Sequence, residues 1–90
     1  MPLNRRHVAI DRRIGERILL TRLQEWRKDR AARDGVPPYV VAHNTTLAEM
    51  ARLCPMTMEE VAAVPGYGQI RADKYGAEIL AVIAEVARSG

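Results

Sequence analysis

Residues 61–72 read Val61-Ala62-Ala63-Val64-Pro65-Gly66-Tyr67-Gly68-Gln69-Ile70-Arg71-Ala72. A helical segment runs into a proline and two glycines, and a second helical segment follows. Proline has no N–H with which to continue a helix, and glycine adopts positive φ without a steric penalty. The stretch therefore reads as helix, tight turn, helix. Beyond the turn, Gly76, Ile79, Leu80, Ile83, Val86 and Ala87 recur at helical spacing to about Arg88 and predict a buried stripe. Arg71, Lys74, Glu78, Glu85 and Arg88 fall on the other side. A glycine inside a helix costs about 1 kcal/mol relative to alanine, so Gly76 predicts close packing against a neighbour.

Working back toward the N-terminus, two possible helix starts are marked by capping boxes. In this device a Ser or Thr hydroxyl accepts from the N3 amide, and an N3 carboxylate reaches back. Thr57 with Glu60 predicts a short helix from Met58 to Ala63. Thr46 with Glu49 predicts another, ending near Leu53 ahead of Pro55. Further back, Gly35-Val36-Pro37-Pro38-Tyr39-Val40-Val41 stops a long helix expected over 14–33, with Leu19, Leu20, Leu23, Trp26 and Ala31 as its apolar stripe. A one-turn helix near Val40–His43 fits the sequence but carries no cap signal. Residues 1–13 read as a basic tail or an extension of the first helix, and residues 14–90 as the domain. Period-two alternation is missing. The expectation is an all-α bundle of two longer helices and two or three short ones.

Composition sets the class and excludes several functions. The chain has 90 residues, 48% hydrophobic and 28% charged, which suits one small soluble domain. Phe is absent, so the core must come from Leu, Ile, Val, Met and Ala. The single Cys54 excludes an internal disulfide and any zinc site built from cysteines of this chain, and is expected as a packed thiol. His7 and His43 lack metal-ligand spacing and read as solvent or turn residues. Gly66-Tyr67-Gly68 is followed by Arg71 where a dinucleotide fingerprint needs its third glycine, and no phosphate-binding loop of the Walker type is present. Glu59 and Glu60 are adjacent and point apart on a helix. The chain thus reads as non-catalytic, with no cofactor and no metal. No apolar run reaches membrane-span length and no leader is visible, so no membrane partner and a cytoplasmic setting are expected.

Charge is unevenly spread. Residues 1–34 carry ten basic and five acidic groups, a net +5; residues 35–90 carry four and six, a net −2. Arg27, Arg30 and Arg33 lie near the end of the first helix, just before Tyr39. An aromatic beside arginines is how single-stranded nucleic acid is held, because stacking tolerates any base and charge tracks the backbone. The plainer alternatives are a tyrosine anchoring its loop and a solvated arginine face with pairs such as Arg30–Asp34. Trp26 falls on the apolar stripe and reads as core. The Gly66–Gly68 turn has the shape of a helix–hairpin–helix, whose free amides can face a phosphate, with Arg71 and Lys74 one turn on. A plain solvated turn accounts for it equally well.

These stretches, taken in order, resemble an HRDC domain (helicase and RNase D C-terminal). The residues that carry the likeness are Leu23-x-x-Trp26-Arg27, Gly35-Val36-Pro37-Pro38-Tyr39-Val40-Val41, Asn44-x-Thr46-Leu47-x-Glu49-Met50-Ala51, Pro55-Met56-Thr57 and Val64-Pro65-Gly66-Tyr67-Gly68-x-x-Arg71-x-x-Lys74-Tyr75-Gly76. The likeness covers about residues 17–87. It implies a five-helix accessory module of RecQ-type or UvrD-type DNA helicases, or of RNase D exonucleases. Such modules bind single-stranded or branched DNA weakly, or dock on other domains such as the helicase core of their own chain. A monomer in the nucleoid of the cytoplasm, and an ATP-dependent helicase parent acting in DNA repair and recombination, are the corresponding expectations. The residues assigned on this basis are Arg27, Arg30, Arg33, Tyr39, His43 and Asn44, with Gly66, Tyr67, Gly68, Arg71 and Lys74 as a second contact region. Ala42-His43 stands where the family usually has an apolar or aromatic residue, which leaves the patch beside Tyr39 more polar. A protein-docking module and the RNA-binding module of an RNase D remain the alternatives.

Overall fold

The computed structural model describes the backbone of residues 2–89 and the side chains of residues 14–88. Five helices follow one another: α1 (Pro2–Asp34), α2 (Pro38–Val41), α3 (Asn44–Leu53), α4 (Met58–Ala62) and α5 (Gln69–Ser89). All regular structure among the described residues is helical, as expected, and α1 and α5 are the two long elements. The side chains of the expected basic tail, residues 1–13, and with them His7, lie outside the described residues.

Helix α1 ends where the glycine and prolines said it would. Gly35 takes φ 68°. Its N–H donates to Ala32 O at 3.2 Å, and that of Val36 to Ala31 O at 3.0 Å. These two bonds close a Schellman cap, which satisfies carbonyls the helix leaves open. Pro38 then occupies the first turn of α2, where a missing N–H costs nothing. The turn is held by Val40 N–H to Pro37 O at 3.0 Å and Ala42 N–H to Pro38 O at 3.2 Å. Val41 and Ala42 are fully buried, whereas Tyr39 and Val40 face solvent.

The Thr46–Glu49 capping box is not formed. Helix α3 starts three residues earlier, with His43 as N-cap and no side-chain cap bond. Its first backbone bond runs from Leu47 N–H to His43 O at 3.0 Å. Thr46 is instead buried in the core, and Glu49 turns to Arg52 at 2.6 Å. Packing against the hairpin took the hydroxyl side chain that the local motif would have used: a Cβ at Gly66 would lie 3.4 Å from Thr46 Oγ1. The Thr57 cap does form, accepting from Glu60 N–H at 3.1 Å, while Glu60 Oε1 accepts from Met56 N–H at 2.6 Å. Cys54 is exposed, not packed. It caps α3 in the left-handed region at φ 50°, where the chain turns toward Pro55.

The turn between α4 and α5 uses two positive-φ glycines, Gly66 at 83° and Gly68 at 90°. Tyr67 N–H donates to Val64 O at 3.0 Å, and Ala72 N–H to Gly68 O at 3.1 Å as the first bond of α5. Along α5 the inward face is Ala72, Tyr75, Gly76, Ile79 and Ile83, with Leu80, Val82 and Val86 at its margin. Ala87, expected on this stripe, is exposed. These side chains meet Leu19, Leu23 and Ala31 of α1 and Leu47, Met50 and Ala51 of α3 in one core. Gly76 packs tightly as expected, and its neighbour is Met58 of α4: a Cβ there would fall 2.7 Å from the thioether sulfur.

A polar seam joins α1 to α5. Trp26 Nε1 donates to Glu78 Oε1 at 2.8 Å, and its ring meets that of Tyr75 edge-on at 6.0 Å. Arg30 donates to Glu78 Oε2 at 3.2 Å and to Asp34 Oδ1 at 2.9 Å. The Tyr75 hydroxyl donates to Asp34 Oδ2 at 2.9 Å. The hydrogen bond from Arg30, then that from Tyr75, holds the Asp34 carboxyl below the usual carboxylate range. Arg22 pairs with Glu85 further along the same seam.

Candidate nucleic-acid interface

An open pocket of about 350 Å³ lies where α1 meets the α2–α3 corner. Arg27, Pro38, Tyr39, His43 and Asn44 line it. Its shape follows from the local sequence. The two prolines fix the path out of α1, and burial of Val41 and Ala42 anchors the one-turn α2 from below. Tyr39 is thereby turned outward, 59% exposed. Its ring lies near-parallel to that of His43, at 22° and 6.0 Å between centroids. Arg27 donates to Ala42 O at 2.9 Å, so its guanidinium is fastened at the rim by a backbone carbonyl. Asn44 is the first residue of α3, exposed, with no side-chain hydrogen bond among those described. Because His43 supplies no side-chain cap, the first amides of α3 open beside the pocket with the positive end of the helix dipole.

The structure gathers four of the assigned residues here: Arg27, Tyr39, His43 and Asn44. Arg33 is exposed on α1 but does not line the pocket. Arg30 is half-buried in the α1–α5 seam, where its charge is already matched by Asp34 and Glu78. The hydrogen bond that it donates to Asp34 raises its pKa further above an already basic value.

The second assigned region is the start of α5. Gly66 and Gly68 present an exposed turn, and Lys74 is exposed one turn on. Lys74 Nζ lies 3.8 Å from Asp34 Oδ2 and 5.2 Å from the Tyr75 ring, so it adjoins the end of α1. Arg71 is half-buried. Tyr67 does not belong to a surface: it is 5% exposed, and its hydroxyl is buried without a hydrogen-bond partner. Burial raises its pKa above the usual phenol range. A small polar-tipped aromatic between two turn glycines reads as exposed from sequence; only the packing of the hairpin on α3 places it inside. Sequence reasoning also missed Pro38 as a pocket wall and Ile70, 85% exposed beside the turn. Neither carries a sequence signal apart from its neighbours.

Among the described residues no group of three or more His, Cys, Asp or Glu is placed to hold a metal ion. No described helix is long and apolar enough to cross a membrane.

Comparison with known proteins agrees with the fold. The chain is 36% identical over 67 residues to the ATP-dependent DNA helicase RecQ of Haemophilus influenzae, covering 74% of this chain and 11% of that protein. It is 40% identical over 70 residues to RecQ of Bacillus subtilis, covering 78% and 12%. With the ATP-dependent DNA helicase UvrD2 of Mycobacterium tuberculosis it shares 35% over 65 residues, covering 72% and 9%. The chain thus spans only about a tenth of the length of these relatives. No solved structure matches it significantly. A family profile described as HRDC domain matches residues 16–83, from the middle of α1 to the inward face of α5. With that span reaching all five helices and taking in the whole hairpin, the chain belongs to the HRDC domain family.

Proposed function

We infer that this domain is a non-catalytic accessory module of an ATP-dependent DNA helicase, which holds single-stranded or branched DNA weakly beside the motor. The observation that carries this reading is the pocket of Arg27, Pro38, Tyr39, His43 and Asn44, where an exposed aromatic pair adjoins a fixed guanidinium. A base stacked on an exposed aromatic contributes about 1–3 kcal/mol whatever its identity. Because the prolines already fix the loop, little ordering entropy is lost on binding. Arg33, Lys74 and the Gly66–Gly68 turn with Arg71 supply outlying phosphate contacts. Affinity is weak, because Arg22 and Arg30 are spent on internal pairs and the net charge is only +3. Work in DNA repair and recombination belongs to the parent helicase under this reading.

Titration of a labelled single strand, followed by fluorescence anisotropy at two salt concentrations, tests it. Engagement of three or four phosphates gives a slope of log K against log salt of about −2 to −3. Tyr39→Ala should weaken binding about fivefold or more. Failure to bind even at low salt, or an affinity indifferent to Tyr39→Ala, removes the site.

A second reading, docking on another part of a longer polypeptide, rests on Leu53, Met56 and Met58, all exposed along the α3–α4 connection. It predicts that an added helicase core shifts the amide signals of residues 53–58 while DNA leaves them in place.

A further inference from the structure

The pocket at the α1–α2–α3 corner holds one kind of side chain that changes charge near neutrality. It is lined by Arg27 of α1, Pro38 and Tyr39 of α2, His43 at the N-cap of α3 and Asn44 at its first position. Among the described residues no carboxylate lines it. Between about pH 5.5 and 7.5 a guanidinium stays charged, and a phenol and an amide stay neutral. An imidazole passes from mostly charged to mostly neutral. Mild acid thus gives this pocket a second cation beside Arg27, and His43 is the group that supplies it.

His43 is placed to use that charge. Its side chain is exposed and makes no cap bond to α3. Its ring lies near-parallel to that of Tyr39, at 22° with 6.0 Å between centroids. The face of an aromatic ring attracts a cation at about that distance, so the imidazolium keeps its place beside Tyr39. Protonation also makes both ring nitrogens donors. A base stacked on Tyr39 brings its phosphates to this corner. Arg27, fastened to the Ala42 carbonyl at 2.9 Å, meets them from one side, and a charged His43 meets them from the other.

Strand and proton then favour each other. Without DNA, Arg27 opposes a second positive charge in the pocket. With DNA, the phosphates offset both cations and stabilise the imidazolium. Such a coupling between two ligands is reciprocal, so binding of the strand takes up a proton, and acid strengthens binding of the strand.

We propose that His43 makes this pocket a proton-linked site, which gains one phosphate contact when the imidazole is protonated and so holds single-stranded DNA more tightly in mild acid. This rests on the reading of the pocket as a single-strand site given above.

The test titrates labelled oligo-dT, whose base has no group that ionises in this range, by fluorescence anisotropy at pH 5.5 and pH 7.5, each at two salt concentrations. Wild type, His43→Gln, His43→Arg and Tyr39→Ala are compared. The Asp34 carboxyl, held low by its hydrogen bonds, stays charged at both pH values, so the α1–α5 seam is the same in both arms. Wild type should bind about three- to fivefold tighter at pH 5.5, the upper end for an exposed ion pair. Its slope of log K against log salt should be steeper there by about 0.7, one phosphate's worth. His43→Gln should lose both differences. His43→Arg should bind at pH 7.5 as wild type does at pH 5.5, with no pH dependence of its own. Tyr39→Ala should weaken binding at both pH values. Equal wild-type affinity at the two pH values overturns the proton linkage while leaving the single-strand site standing, provided Tyr39→Ala still weakens binding. A pH effect that survives His43→Gln, or one without a change in salt slope, also overturns it. Loss of the Tyr39→Ala effect removes the site and the linkage together. Thermal melts at both pH values show that each variant is folded where its affinity is read.

Discussion

Tyr67 sits between two positive-φ glycines with its ring in the core and its hydroxyl sealed from water without a partner. A buried polar group without a hydrogen bond costs about 1–3 kcal/mol of desolvation. Removing the oxygen while keeping the ring is then a gain. Tyr67→Phe should raise stability by about 1 kcal/mol, read as a higher denaturation midpoint with an unchanged m-value. The same variant should leave DNA affinity as it was, because the ring does not reach the surface. A lower midpoint would show that the hydroxyl has a partner after all. Tyr39 and Tyr67 show how far single residues were legible. Both are tyrosines next to a helix break. The sequence of each is compatible with either a buried or an exposed ring, and the difference is decided by what packs beneath. Val41 and Ala42 fill the space under α2 and leave Tyr39 outside, whereas α3 and α5 leave room for Tyr67 inside.

At the scale of elements, the breaks were legible and one start was not. Gly35, the double proline and the two turn glycines leave the backbone no competing conformation, so α1, α4 and α5 stop or begin close to where the chain says. Thr46 had an alternative use, and tertiary packing took it. Gly76 illustrates the same competition in reverse. A Cβ there would collide with the Met58 sulfur at 2.7 Å and Cε at 2.8 Å, but would meet Val61 only at an ordinary 3.8 Å. Met58 is 40% exposed and unbranched, so its end can swing into solvent. Gly76→Ala alone should be close to neutral, the gain in helix propensity offsetting the displaced thioether. In a Met58→Ala background nothing is left to displace, and the same change should add about 1 kcal/mol. Denaturant melts of the four proteins give a double-mutant cycle. Equal effects in both backgrounds would mean that Met58 does not occupy the notch. The α1–α5 seam makes a pH prediction. Asp34 titrates below the usual range in the fold, so its contribution is present above the unfolded pKa, about 3.9, and is lost as pH falls through the folded value. Asp34→Asn should therefore melt lower than wild type near neutrality, by an amount constant above about pH 5. The gap should narrow below about pH 4. Melts across that range check it; a gap that widens in acid would contradict the pairing.

Over the whole molecule, charge was legible as a total and misleading as a map. The first 34 residues carry a net +5, which from sequence alone makes a run of arginines on α1 look like one DNA-facing surface. Folding divides them. Arg27, Arg30 and Arg33 stand three residues apart and so fan across roughly 120° of the helix circumference. One side meets the α2–α3 corner and places Arg27 at the pocket. The middle meets α5 and draws Arg30 into the seam with Glu78 and Asp34. Spacing along α1 gives the fan and the Arg30–Asp34 pair; Glu78, which takes up the rest of its middle, comes from α5 and cannot be foreseen from α1. Arg27→Gln and Arg30→Gln should consequently fail in opposite ways. The first removes a cation at the pocket: affinity for a single strand should fall, and the slope of log K against log salt should become shallower by about 0.7, one phosphate's worth. Its thermal cost should be the smaller of the two, since the shorter glutamine gives up only the one bond to the Ala42 carbonyl. The second leaves Glu78 and Asp34 facing each other across the seam without their common cation. The melting temperature should drop, and the salt slope should stay within error of wild type. Measuring both quantities on both variants separates a guanidinium that holds the fold from one that meets DNA. A shallower slope for Arg30→Gln with an unchanged melting temperature would place the interface on the α5 side of α1 and not at the Tyr39 corner.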